Sequence, residues 1–205
     1  LVGSEMCIRD RLPVTADFSK KTPIAVIGLG YVGLPLAVAL ARQFLTIGYD
    51  VDQDRISELR DGHERTGEIA SSDLVASRLT VTGNSDDIAG ADIYIVTVPT
   101  PVDKDNQPDL RFVKTACASI GAVLKTGNIV VFESTVYPGV TEEICGPALA
   151  EASGLVCGQD FFLGYSPERI NPGDREHTID KITKVVAAQT DEVLDRLADL
   201  YAVSY

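Results

Sequence analysis

The stretch Ile24-Ala25-Val26-Ile27-Gly28-Leu29-Gly30-Tyr31-Val32-Gly33 constrains the fold more than any other part of the chain. Its β-branched start has the composition of a strand buried on both faces, and Leu34, Leu36, Ala37, Val38, Leu40 and Ala41 then switch to helical spacing. Between strand and helix lies Gly-x-Gly-x-x-Gly. Gly28 permits the tight turn out of the strand, Gly30 leaves the backbone open to a pyrophosphate, and Gly33 lets the helix pack close to the sheet. The helix start, entered through Tyr31 and Val32, offers free N–H groups and a partial positive charge to the phosphates. The same glycine spacing also arises in purely steric turns, so its surroundings have to decide.

A second apolar segment, residues 45–49, ends in Asp50, 22 positions after Gly28. A carboxylate there accepts from a ribose 2′-OH and repels a 2′-phosphate, which favours NAD over NADP. The alternative is a solvated acid at a strand end. Arg55, one helical turn further on, either sits near the adenosine end of such a cofactor or is an ordinary surface arginine.

The charge balance narrows the partners. Against 30 acidic residues stand 18 basic ones, a net charge of −12 that repels nucleic acid and anionic membranes. A bound anion therefore depends on local dipoles and a few cations. No apolar run reaches the roughly 20 residues of a membrane span, and no secretory leader is evident, so a cytoplasmic location is expected. Cys7, Cys117, Cys145 and Cys157 are scattered without a CxxC pair, as buried reduced thiols would be, and no metal site is expected. Residues 1–20 show no sustained period or cap and are expected to be a disordered tail foreign to the fold, with the domain running from 21 to 205.

Alternating strand-like and helical segments in the rest of the chain predict an α/β fold, a Rossmann-type doubly wound, mainly parallel sheet with helices on both faces. Strands are expected at 79–82, 91–98, 129–132, 161–165 and 182–188, with helices over 51–59, after an Asp109 cap, from near Thr141 and after Thr190. Residues 61–72 read as a loop, with His63 exposed in it.

The polar residues gather at strand ends. Pro99, Thr100 and Pro101 close the strand ending at Val98, at the sheet edge where ligands bind in such folds. Ser134 and Thr135 follow the strand at 129–132, where they either meet a cofactor or water or cap the next helix. After the strand at 161–165 comes Ser166-Pro167-Glu168-Arg169-Ile170-Asn171-Pro172-Gly173. Glu168 there is a candidate general base, Arg169 and Asn171 are candidates for phosphate or sugar hydroxyls, and a plain surface loop is the alternative.

Taken together, residues 22–201 resemble the UDP-glucose/GDP-mannose dehydrogenase family. The resemblance rests on Gly-Leu-Gly-Tyr-Val-Gly at 28–33, Asp50 with Arg55, Val-Pro-Thr-Pro at 98–101, Glu-Ser-Thr-Val at 133–136 and Ser-Pro-Glu-Arg-Ile-Asn-Pro-Gly at 166–173. Tyr-Pro-Gly at 137–139 and the last of these motifs are most similar to bacterial UDP-N-acetylhexosamine 6-dehydrogenases of surface-polysaccharide synthesis. The resemblance implies oxidation of a sugar C6 alcohol to a carboxylate with two NAD. It implies cofactor contacts from Gly28, Gly30, Tyr31, Val32, Gly33, Asp50, Arg55, Val98, Pro99, Thr100 and Ser134, with Thr135 holding water and Glu168 moving protons.

The resemblance also implies a UDP-sugar partner held by Glu168, Arg169 and Asn171. UDP-glucose enzymes carry a second acid where Pro172 stands, which speaks against that sugar. The family's nucleophilic cysteine lies in a Gly-x-Cys context that none of the four cysteines here occupies. The expectation is thus an NAD-binding portion, inactive alone, without the linking helix through which family members form homo-oligomers and without the UDP-binding domain. A non-catalytic dinucleotide-binding or interaction module and a fragment of a UDP-glucose 6-dehydrogenase are the alternatives.

Overall fold

Successive side chains of a strand point to opposite faces of its sheet, and here both faces are apolar. Ile24, Val26, Ile93, Ile95, Ile129 and Val131 enter one hydrophobic layer, while Ala25, Ile27, Tyr94, Val96, Val130 and Phe132 enter the other. Such strands need helices on both sides. The computed structural model describes residues 6–7, 22–102, 104–168 and 184–204 and supplies them.

The strands are β1 (Met6–Cys7), β2 (Pro23–Ile27), β3 (Leu45–Tyr49), β4 (Thr80–Thr82), β5 (Ile93–Val96), β6 (Ile129–Phe132), β7 (Phe162–Tyr165) and β8 (Val185–Ala188). They lie side by side in the order β4-β3-β2-β5-β6-β7-β8-β1. From β4 to β7 every pairing is parallel, while β8 runs antiparallel to β7 and β1 antiparallel to β8. The chain first winds outward from β2 to β3 and β4, then crosses back to the other side of β2 to form β5, β6 and β7. This reversal between β2 and β5 opens a crevice at the carboxyl ends of the strands.

Helices α1 (Gly33–Ala41), α2 (Gln53–Arg60), α3 (Ser71–Ala76) and α6 (Asp191–Ser204) cover the face of Ile24 and Val26. The opposite face is covered by α4 (Arg111–Gly121) and α5 (Gly146–Ser153). All nine residues of α1 are buried. Burying a leucine such as Leu34, Leu36 or Leu40 contributes roughly 1.5–3 kcal/mol, so the helix that starts the glycine turn is also a central piece of the core.

Register fixes where the site forms. Ile27 is level with Tyr49 and Val96, Val96 with Phe132, and Phe132 with Tyr165. The next residue of each strand, Gly28, Asp50, Thr97, Glu133 and Ser166, therefore leaves the sheet along one edge.

Some local expectations change. Residues 71 and 72, read as loop, begin α3, a short helix that buries only Leu74 and so carries almost no apolar period. Leu110, not Asp109, occupies the cap position of α4, although the Asp109 carboxylate accepts from the Arg111 N–H at 3.0 Å and pairs with its guanidinium. The segment after Gly139 is a π-helical stretch, Val140–Cys145, that passes into α5. The final strand begins at Val185 among the described residues and is antiparallel. Met6–Cys7, inside the stretch expected to be disordered, pairs with Val185 and Val186.

Candidate functional site

The glycine turn is held through both backbone groups of one residue. Leu29 donates its N–H to Asp50 Oδ2 at 2.7 Å, and its carbonyl accepts from Arg55 Nε at 3.0 Å. Gly28 adopts φ +95, a left-handed conformation that strains any side chain. A Cβ on Gly33 would stand 1.8 Å from Gly28 O and 2.3 Å from Thr97 Oγ1. The Thr97 hydroxyl itself donates to the carbonyls of Ile27 and Gly28, at 3.0 and 2.8 Å. By contrast, a Cβ on Gly30 would meet nothing within 4 Å. The turn is thus rigid beneath and open above. The start of α1 carries no side-chain cap and no acidic residue in its first turn, which leaves its N–H groups and dipole available to an anion.

Above this turn lies a cleft of about 580 Å³. Of the residues expected to touch cofactor, Gly28, Gly30, Tyr31, Val32, Asp50, Val98, Pro99, Thr100 and Ser134 line it, and so do Thr135 and Glu168. Gly33 lies beneath, where the helix packs. Arg55 is not in the lining. Its side chain is 2% exposed and paired with Glu64 at 3.0 Å, whose own side chain is 1% exposed, so it braces the turn from within rather than facing an adenosine. Arg169 and Asn171 lie outside the described residues.

The far wall is built from strand ends. Glu133 donates its backbone N–H to Val96 O at 2.8 Å, Ser134 Oγ donates to Val98 O at 2.9 Å, and Thr100 Oγ1 donates to the Thr135 carbonyl. These bonds close the ends of β5 and β6 into one ledge, with Thr135 exposed on it.

The helix face carrying Phe112, Thr115, Ala116 and Ser119 completes the cleft, and Asp52 and Glu133 join its rim and floor. Sequence reading missed Thr97, Glu133 and that face of α4. The spacing i, i+3, i+4, i+7 marks the face, but the apolar stripe of Val113, Ala116, Cys117 and Ile120 dominates the helix, and Phe112, Thr115 and Ser119 beside it carry no signal of their own.

Charge in the cleft is one-sided. Asp50, Asp52, Glu133 and Glu168 line it, and among the described lining residues none is lysine or arginine. Asp52 is held below the ordinary carboxylate range, first by its hydrogen bond from Arg65 and then by the Arg55 N–H that it caps. Cys117, Cys145 and Cys157 are free. A hydrogen bond shared with Cys145, followed by burial, pushes the Cys117 thiol far up, and burial also raises Cys157. Neither stands ready as a thiolate, and no described cysteine lines the cleft.

The comparisons with known proteins agree with this geometry. Residues 22–204 match the model of the UDP-glucose/GDP-mannose dehydrogenase family, NAD binding domain. The chain belongs to this family. It is 52% identical over 179 residues to Protein CapL of Staphylococcus aureus, covering 87% of this chain and 42% of that protein. With the UDP-N-acetyl-D-glucosamine 6-dehydrogenase of Pseudomonas aeruginosa it shares 51% over 183 residues, covering 89% and 43%. Among solved structures, the NDP-N-acetyl-D-galactosaminuronic acid dehydrogenase of Methanosarcina mazei Go1 superposes with a TM-score of 0.80 at 29% identity, covering 90% of this chain and 42% of that one.

The chain spans about two fifths of the length of these family members, and the match falls on the family's NAD-binding domain. No helix among the described residues is long and apolar enough to cross a membrane.

Proposed function

We propose that this chain is the NAD-binding portion of a cytoplasmic UDP-N-acetylhexosamine 6-dehydrogenase that supplies uronic acid sugars for surface polysaccharides. The observation that carries the cofactor part is the Leu29–Asp50 hydrogen bond. It joins an open, uncapped phosphate turn to a carboxylate at the end of β3, the spacing a dinucleotide requires. The substrate part rests on identities of 51–52% to relatives of which one is named for UDP-N-acetyl-D-glucosamine.

The residues fit the cofactor. Gly28, Gly30, Tyr31 and Val32 receive the pyrophosphate with the N–H groups at the head of α1. Asp50 takes the adenosine ribose hydroxyls, and its charge, with Asp52 beside it, rejects a 2′-phosphate. Val98, Pro99, Thr100 and Ser134 flank the nicotinamide half. Arg55 acts by holding the turn and Gly33 by admitting the helix. When bound, the nicotinamide supplies the hydride acceptor for each of two oxidations at the sugar C6. Thr135 orients water on the ledge, and Glu168 accepts and returns protons at the hydroxyl being oxidised. Arg169 and Asn171 hold the sugar nucleotide.

The chain by itself binds cofactor without turnover, because the thioester between the two oxidations needs a thiolate at the cleft and no described cysteine lines it. The complete enzyme is a homo-oligomer. A domain exchange tests the substrate. Residues 22–204 replace the matching part of the Pseudomonas aeruginosa enzyme, and NADH is followed with UDP-N-acetylglucosamine. Turnover that is lost on Glu168→Gln supports the proposal. A folded, NAD-binding chimaera that ignores this sugar contradicts it.

A further inference from the structure

Beside Asp50 the cleft is edged by a carboxylate that holds back a cation. Asp52 lines the cleft, and its Oδ2 pairs with Arg65 Nη2 at 2.9 Å. The other terminal nitrogen of the guanidinium, Nη1, pairs with Glu58 Oε1 at 3.3 Å. Arg65 is 45% exposed yet absent from the cleft lining. Its positive charge is turned onto two acids, the cap of α2 and a residue in the second turn of that helix.

The two oxygens of Asp52 divide their partners. Oδ1 accepts from the N–H groups of Asp54 and Arg55, at 3.0 and 3.1 Å, and so caps α2. Oδ2 takes Arg65, so the cap does not require the ion pair. The Asp52 N–H in turn donates to Asp50 Oδ1 at 3.0 Å. One residue therefore spans from the carboxylate assigned to the ribose to the guanidinium.

Arg65 is carried by an ordered turn. Glu64, just before it, accepts from the Thr66 N–H and hydroxyl, both at 2.8 Å, and from the Gly67 N–H at 2.5 Å, and it pairs with Arg55 beneath. The backbone on both sides of Arg65 is thus fixed, while its side chain is held by exposed ion pairs. Such pairs contribute little to stability, because water screens them and two long side chains lose freedom, so holding the fold together does not account for the clamp. A phosphate competes well for the same group, because its charge and its oxygens match the fork of an arginine. In dinucleotide sites an acid on the ribose hydroxyls suits the unphosphorylated form, and an arginine nearby accommodates a 2′-phosphate. Both residue types are present here, the acid facing the cleft and the arginine occupied.

We infer that Arg65 is a masked 2′-phosphate receptor, which the Asp52 carboxylate keeps occupied so that the site refuses NADP. The inference rests on the NAD-binding role of Asp50 argued above and adds the residue pair that sets the choice of dinucleotide. Asp52 acts twice, by repelling the added phosphate and by engaging the cation that would receive it. Glu58 holds the same guanidinium through its other nitrogen.

The test is the ratio of the dissociation constants of NADP and NAD, measured by calorimetric titration of the purified chain, with circular dichroism confirming that each variant folds. Asp52→Asn keeps a capping oxygen and removes the charge, and Asp52→Ser does the same with a hydroxyl should the first variant fail to fold. Either is expected to lower the ratio by about tenfold, chiefly through tighter NADP. Relief of repulsion alone would also lower it, so the deciding step is to add Arg65→Met to the same variant. Loss of the guanidinium is expected to raise the ratio again by more than about threefold, because the phosphate loses its receptor. A rise smaller than that, or an Asp52 variant whose ratio matches that of the unaltered chain, overturns the inference and leaves the NAD reading intact. Failure of the unaltered chain to bind NAD overturns that reading and the inference with it.

Discussion

Leu29 donates its backbone N–H to Asp50 Oδ2 at 2.7 Å, and Asp50 Oδ1 accepts from the Asp52 N–H at 3.0 Å. One carboxylate thereby fixes the glycine turn and the entry to α2 while facing the cleft. Hydrogen bonds to a charged group contribute about 1.5–3 kcal/mol. Asp50→Asn is expected to weaken NAD binding by about tenfold or more and to narrow the preference over NADP, as read by calorimetric titration with each nucleotide. Unchanged affinity for both would remove Asp50 from the ribose site.

The three glycines of the turn separate by what a methyl group would meet. Gly33→Ala forces a Cβ into Gly28 O and Thr97 Oγ1 and is expected to cost about 3 kcal/mol or more in urea unfolding. Gly30→Ala meets nothing within 4 Å and should change stability by less than about 0.5 kcal/mol, yet reduce NAD affinity by about tenfold. Equal stability losses in the two variants would contradict the division between a packing glycine and a ligand-facing one.

Arg55 and Glu64 form a buried pair beneath the turn. Removing one partner strands the other charge, so Arg55→Met should destabilise the fold by about 3–5 kcal/mol, and R55M/E64M should recover much of that loss. Denaturant unfolding of both single variants and the double variant gives the coupling directly. Additive losses would show that the two side chains act independently.

Glu64 also sets an acid limit. Burial raises its carboxyl, but the Thr66 N–H, Arg55, the Thr66 hydroxyl and the Gly67 N–H together outweigh burial and bring it below the ordinary value of 4.5. Because the folded value is depressed, this contribution is complete above about pH 4.5 and is lost as pH falls through the folded value. Chemical denaturation across that window should show a fall in stability that Glu64→Gln lacks. Parallel pH profiles for both proteins would refute the assignment.

Most of the fold was legible because its strands are short apolar runs with little competing period. Residues 129–132 form a strand as expected, and the helices after Asp52 and Thr190 carry their apolar positions, Ile56 with Leu59 and Val193 with Leu194, inward. What escaped depends on three-dimensional placement. Arg55 reads as a surface arginine or an adenosine contact until its partners are seen, because Glu64 lies outside helical spacing from it. Glu133 reads as a motif residue until Lys184 and Tyr201, 51 and 68 positions away, reach its two oxygens. The short helix α3 lacked an apolar stripe.

The account turns on one binding event. Calorimetric titration of the purified chain with NAD and with NADP in parallel tests it directly. The account predicts saturable one-to-one binding of NAD, with NADP weaker by about tenfold or more because Asp50 and Asp52 oppose the added phosphate. Absence of NAD binding, or equal affinity for the two nucleotides, would contradict it.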